Sequence, residues 1–130
     1  MRHRINYVLL VVRAFWELMK YDVLNTLLGF RSIYRGVEGQ RVRKNCPDPS
    51  VTARVCNAVS LAACLYFKRV LCLQRSAVAT RLLRKLGIDG RLVIGYRPSP
   101  FFSHAWVEVA NRVVNDSPGY KERMRVLCVL

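Results

Sequence analysis

The sequence predicts an α+β fold, with helices first and a small antiparallel sheet after them. Three observations carry this. Apolar residues recur at steps of three and four through the first half of the chain. From Gly87 onward, short β-branched and aromatic runs with period two replace them. At 130 residues, 52% of them apolar, the chain can bury one core without disulfides or metals. The expected organisation is a single domain over 1–130, with an N-terminal helix and connector in 1–49 and the working core in 50–130.

The first helix is expected from Ile5 to Leu28, where Ile5, Val8, Leu9, Val12, Phe15, Trp16, Met19, Val23 and Leu27 form one stripe. Arg13, Glu17 and Lys20 fall between them. Val11, Leu18, Leu24 and Leu28 widen the stripe, so it is expected to pack in the core against more than one neighbour. A partner protein or a membrane surface is the alternative. Gly29 to Asn45 holds three glycines and five basic residues without a sustained period, and reads as a connector or loop.

Asp48 and Pro49 supply an N-cap and a first-turn proline. Val51, Val55, Val59, Ala62, Ala63 and Tyr66 continue a helical stripe. No glycine or proline follows until Gly87, so the pattern permits one long helix. A break near Val70 and Leu71 fits the crowding of β-branched and apolar residues there. Gly87 suits the left-handed position beyond a helix end. Leu92, Ile94 and Tyr96 then alternate with Val93, Gly95 and Arg97, Pro98-Ser99-Pro100 makes a turn, and Ser103 to Val109 and Arg112 to Asp116 flank Ala110-Asn111. Lys121 to Leu130 reads as a final strand or a short helix.

Twenty-two Lys and Arg against eight Asp and Glu give a net charge of +14, spread evenly along the chain. Such a surface suits nucleic acid, anionic lipid or an acidic protein or peptide, and composition does not choose among them. Arg13 ends the apolar run Tyr7 to Val12, and no small-residue cleavage site follows it. With Glu17, Lys20 and Asp22 beyond, the segment is also too polar to span a membrane. The five cysteines, at 46, 56, 64, 72 and 128, contain no CxxC pair and no zinc-finger spacing. A reducing, cytoplasmic compartment with free thiols is the expectation.

Two histidines are present, and His3 sits at the terminus, which leaves His104 as the candidate acid–base group. His104, Trp106 and Glu108 share one face of their strand. A three-residue loop at Val109-Ala110-Asn111 would pair Glu108 with Arg112, Trp106 with Val114 and His104 with Asp116, placing a carboxylate across from the imidazole. A two-residue loop would turn Asp116 to the other face. A thiol nucleophile would complete the set. Cys72 is preferred because a helix over Leu73 to Leu86 would put it at an N-terminal turn, where backbone N–H groups lower a thiol pKa and can hold an oxyanion. Cys56 and Cys64 fall in the preceding stripe and look structural, Cys46 lies in a loop and Cys128 near the end. On residues alone, a core Cys72 with a surface or hydrogen-bonded His104 stands as the alternative. So does a basic nucleic-acid or protein-binding module without catalysis.

Cys72-Leu73-Gln74-Arg75-Ser76, the run Gly87-Ile88-Asp89-Gly90-Arg91-Leu92-Val93-Ile94-Gly95, then His104-Ala105-Trp106-Val107-Glu108-Val109 and Asn115-Asp116 resemble the leader peptidases of lasso-peptide biosynthesis. These are transglutaminase-like, papain-related cysteine proteases, and the resemblance covers roughly residues 50 to 118. It implies Cys72 as nucleophile, His104 as general base and acid, Asp116 as orienting carboxylate and a helix break just before Cys72. It also implies a precursor peptide as substrate, a separate small leader-recognition protein as partner and an ATP-dependent lasso cyclase downstream. With no Gly-rich phosphate loop in this chain, ATP would belong to the cyclase. No metal, other cofactor or nucleic acid is expected. The length is expected to leave no room for a fused recognition domain. Trp106 and Glu108 could line the substrate cleft, and Arg75 could hold a peptide carboxylate or an acidic neighbour. A second oxyanion donor has no clear candidate, since the upstream amides Gln40 and Asn57 lack matching context. Acyl transfer or crosslinking on the same fold is the remaining rival, because an amine can intercept an acyl-enzyme as water does.

Overall fold

A computed structural model describes residues 6–29, 31–38, 49–67, 70–116 and 119–130. His3, Gln40, Cys46 and Asp48 lie outside these residues. Helix α1 spans Tyr7–Leu28, capped by the Asn6 side chain, which accepts from the Val8 N–H. The face it buries is not the stripe richest in bulky residues. Leu10, Ala14, Glu17, Leu18 and Tyr21 point inward, whereas Val8, Leu9, Val12, Trp16, Val23 and Leu27 are each half or more exposed. Two local facts decide the inversion. Ala14 is small enough to let α1 seat closely, and the Glu17 carboxylate is met from α4 by Lys85 Nζ at 3.4 Å and Arg81 Nε at 3.7 Å, so it can be buried as a paired charge.

The expected connector contains a second helix, α2, over Arg31–Glu38. Gly29 ends α1 at φ 77°, a left-handed value that glycine adopts without cost. Its carbonyl then accepts from both the N–H and the hydroxyl of Ser32, in the first turn of α2. Eight residues are too few for a helix to persist alone, and the stabilising contacts are tertiary. Arg81 Nη1 donates to the Gly36 carbonyl at 2.8 Å, and Arg84 Nη1 to that of Val37 at 2.6 Å. Two guanidinium groups thus satisfy last-turn carbonyls that have no partner within the helix.

Helix α3, Pro49–Leu65, and helix α4, Cys72–Lys85, divide the stretch that carries no glycine or proline. The break falls where Tyr66 turns onto α1: its ring lies 5.3 Å from Phe15 and its hydroxyl donates to Asp22 at 3.0 Å. Val55, Val59 and Ala62 of α3 are buried as expected, and Ala58 is buried beside them. Cys64 is not a core residue but lies on the exposed side of α3, where Leu61 and Leu65 are also exposed. At the far end of α4, Gly87 has φ 82°. The Gly87 N–H bonds to the Arg84 carbonyl and the Ile88 N–H to that of Leu83, the paired bonds of a Schellman ending.

Strands β1 (Gly90–Pro98), β2 (Phe101–Val109), β3 (Arg112–Val113) and β4 (Arg125–Val129) form an antiparallel sheet in the order β3-β2-β1-β4. A short helix α5, Gly119–Arg123, precedes β4, so the last stretch contains both elements expected as alternatives. The helices cover one face of the sheet, where Leu92, Ile94, Ala105 and Val107 join the main core. Val93, Trp106 and Met124 form a smaller cluster on the other face.

Arg84 links these parts. Besides Val37, it donates from Nε to the Gly90 carbonyl at 2.9 Å and from Nη2 to the Leu130 carbonyl at 2.8 Å. Arg84→Ala removes charge-assisted bonds from α2, the start of β1 and the end of β4 together. It is expected to cost about 3 kcal/mol, read as a lower urea midpoint.

Candidate active site

The β2–β3 turn differs from the expected one. Val109 pairs with Arg112 and Glu108 with Val113, so the loop is the two residues Ala110 and Asn111, with φ of 51° and 65°. Both are left-handed, as in the turn type whose twist matches a hairpin. Glu108 therefore faces Val113 and not Arg112. Yet His104 and Asp116 still meet, because β3 lasts only two residues. The Val114 N–H bonds to the Val107 carbonyl at 3.0 Å, and the Asn115 Oδ1 then accepts from the Val107 N–H at 2.8 Å. A side-chain oxygen takes the place of the Val114 carbonyl in the ladder, and Asp116 arrives from a loop and not from the ladder.

His104 Nε2 lies 2.6 Å from Asp116 Oδ2. Arg75 Nη2, from α4, lies 3.6 Å from the same oxygen. The imidazole is also flanked along β2 by the rings of Phe102 at 6.1 Å and Trp106 at 6.2 Å, both roughly parallel to it. Its side chain is 11% exposed. Orientation is thus fixed by one carboxylate and two rings two residues away on either side.

Cys72 is the first residue of α4, partly buried, one turn before Arg75. The Gln74 side chain starts this helix by accepting from the Leu71 N–H at 3.4 Å, half of a capping box. In the first turn the N–H groups have no acceptor within the helix and the dipole end is positive. Ser76 holds this end of α4 to β2: its hydroxyl donates to the Ala105 carbonyl at 3.1 Å and accepts from Asn115 Nδ2 at 3.0 Å. Ser76 is fully buried. Neither Ser76 nor Asn115 has a role in the sequence reading, although a serine within the buried face of α4 is a visible signal that a polar partner must exist.

Trp106 is 0% exposed and supports His104 from within the smaller core cluster, presenting no face to solvent. Glu108 is half-buried further along β2, opposite Arg91 of β1. Asn57 is exposed on α3. An open cavity of about 470 Å³ beside Pro49, Thr52, Val109 and Arg112 sits at the other end of β2 and includes none of the candidate residues.

Two comparisons place the chain among known proteins. A family model described as the transglutaminase-like superfamily matches residues 18–129. The chain belongs to the transglutaminase-like superfamily. It is also 45% identical over 56 residues to the microcin J25-processing protein McjB of Escherichia coli, a match covering 43% of this chain and 27% of McjB. The matched part is thus under a third of that relative's length. No solved structure matches the chain. The transglutaminase-like, α+β expectation is met by the family match and by the helix-then-sheet architecture together.

The other described thiols have different surroundings from Cys72. Cys56 is buried in α3, and burial pushes its thiol pKa up to about 11, with Arg75 nearby opposing the shift. At neutral pH it stays protonated and shielded. Iodoacetamide at pH 7.5 is expected to leave Cys56 unmodified while Cys72 and the exposed Cys64 react, read by peptide mass mapping. Gly95 sits across from His104 in the β1–β2 ladder. A Cβ there would lie 2.5 Å from Trp106 Cη2 and 2.8 Å from Cζ3. Gly95→Ala must therefore displace the ring that supports His104. A loss of about 1 to 3 kcal/mol is expected in chemical denaturation.

Proposed function

We propose that this protein is a cysteine peptidase that removes the leader from a ribosomally made lasso-peptide precursor. The observation that carries the proposal is the 2.6 Å contact between His104 and Asp116, beside a helix whose first residue is Cys72, in a chain similar to a microcin-processing protein. In this reading the Cys72 thiolate attacks the scissile carbonyl carbon. A first-turn N–H of α4 supports the oxyanion, and His104 gives a proton to the departing amine of the core peptide. The leader then remains on Cys72 as a thioester. Water, giving a proton to His104, adds to the thioester carbonyl, and the thiolate leaves as the leader carboxylic acid forms. Asp116 holds the ring through Nε2, so Nδ1 is the nitrogen that exchanges protons with the thiol and the amine. Arg75 acts through Asp116 by keeping its carboxylate in place.

The partners belong to the same proposal. A separate leader-recognition protein presents the peptide, and a cyclase takes the freed core. The experiment is incubation of the purified protein with a precursor peptide and a recognition protein, followed by product masses. Hydrolysis gives a leader ending in a carboxylic acid and a core with a free amine. Transfer to an added amine would instead give a leader carrying a new amide, which would move the assignment to acyl transfer. No processing with both components present would reject the peptidase reading.

A further inference from the structure

The bulky stripe of α1 is expected in the core, but the fold packs only Phe15 and Met19 of its described residues against the core and leaves the other six outside. Val8, Leu9, Val12, Trp16, Val23 and Leu27 are between 50% and 74% exposed. At about 100° per residue they fall within about 100° of arc, along roughly 30 Å of helix. Six such side chains amount to several hundred Å², at or above the roughly 300 to 600 Å² of the largest patch on an ordinary monomer. The next part of the arc carries Arg13 and Lys20, both exposed.

The acidic groups of α1 are all turned elsewhere. Glu17 is buried against Lys85 and Arg81, and Asp22 accepts from the Tyr66 hydroxyl. The outer face therefore presents apolar and cationic groups, in a protein of net charge +14. Its single large aromatic is Trp16, a side chain suited to the boundary between headgroups and acyl chains. Among the described residues no helix is long and apolar enough to cross a membrane. The combination fits a helix lying in the plane of an interface, with its apolar face in the acyl boundary and its cationic edge among negative headgroups.

We propose that the outer face of α1 docks this protein on an anionic phospholipid surface. The docking is independent of the peptidase chemistry, since neither Cys72 nor the His104–Asp116 pair takes part. An acidic protein partner is less well matched, because this face has a broad apolar stripe with cations along one edge, not cations distributed across a docking patch.

Flotation of the purified full chain with vesicles tests this. One set is phosphatidylcholine alone and the other contains half phosphatidylglycerol. Of the two tryptophans, Trp106 is buried, so a blue shift of emission on adding vesicles reports Trp16. The expected result is at least tenfold more protein bound to the anionic set, with that blue shift. Val12→Glu with Trp16→Glu should reduce this binding at least tenfold. Arg13→Glu with Lys20→Glu, which keeps the apolar stripe, should remove the preference for anionic vesicles. Absence of binding, equal binding to both vesicle sets, or binding unchanged in either pair of substitutions would overturn the proposal. A dimer seen by light scattering that Val12→Glu dissociates, with no vesicle binding, would also overturn it and assign the face to a second copy of the chain.

Discussion

Cys72→Ala is expected to lower precursor cleavage by about 10⁴-fold or more, with the circular dichroism spectrum and urea midpoint close to those of the parent. The proposed chemistry requires a sulfur that can form a thioester, and alanine removes it without disturbing the helix start. Alanine is the best helix former, and the bonds that hold the start of α4 come from Gln74 and Ser76. A fall in activity with unchanged stability therefore isolates the nucleophile. Cleavage at the parent rate would remove Cys72 from the mechanism.

Asp116→Asn is expected to produce the second largest effect, about 10² to 10⁴-fold in kcat, with KM little changed. The amide preserves size but removes the charge that stabilises the imidazolium, and an amide nitrogen turned toward Nε2 would favour the wrong tautomer. Arg75→Gln should cost less, about tenfold, because the carboxylate remains and loses one of its holders. A double-mutant cycle separates a positioning role from a substrate contact. If Arg75 acts through Asp116, the pair loses no more kcat than Asp116→Asn alone. If Arg75 binds peptide directly, the losses multiply and KM rises.

Some of this site was legible because the signals are local. The left-handed Gly87, the period-two run around His104 and the single ordered histidine candidate lead to the hairpin and its imidazole without knowledge of the tertiary fold. The sequence predicts the approach of Asp116 to His104, but the fold reaches it through a different register. It depends on the Asn115 side chain taking the place of a ladder carbonyl, which no alternation pattern encodes. The break before Cys72 was implied by family resemblance and permitted by the residues. It coincides with Tyr66 packing onto Phe15 and Asp22, contacts 44 residues or more apart in the chain. Helix α2 looks like a connector in the sequence because its stability depends on guanidinium groups from α4. The buried face of α1 is hidden in the sequence for a related reason: a buried glutamate looks polar until its two cations are located.

The most direct test of the central claim is to trap the intermediate. Precursor, recognition protein and enzyme are mixed, quenched in acid within the first turnover, and measured by intact-protein and peptide mass spectrometry. The predicted result is enzyme plus leader minus one water, located on the Cys72 peptide and removed by hydroxylamine. Cleavage proceeding with the leader attached to a different residue, or with no covalent adduct under conditions where deacylation is slowed, would contradict it.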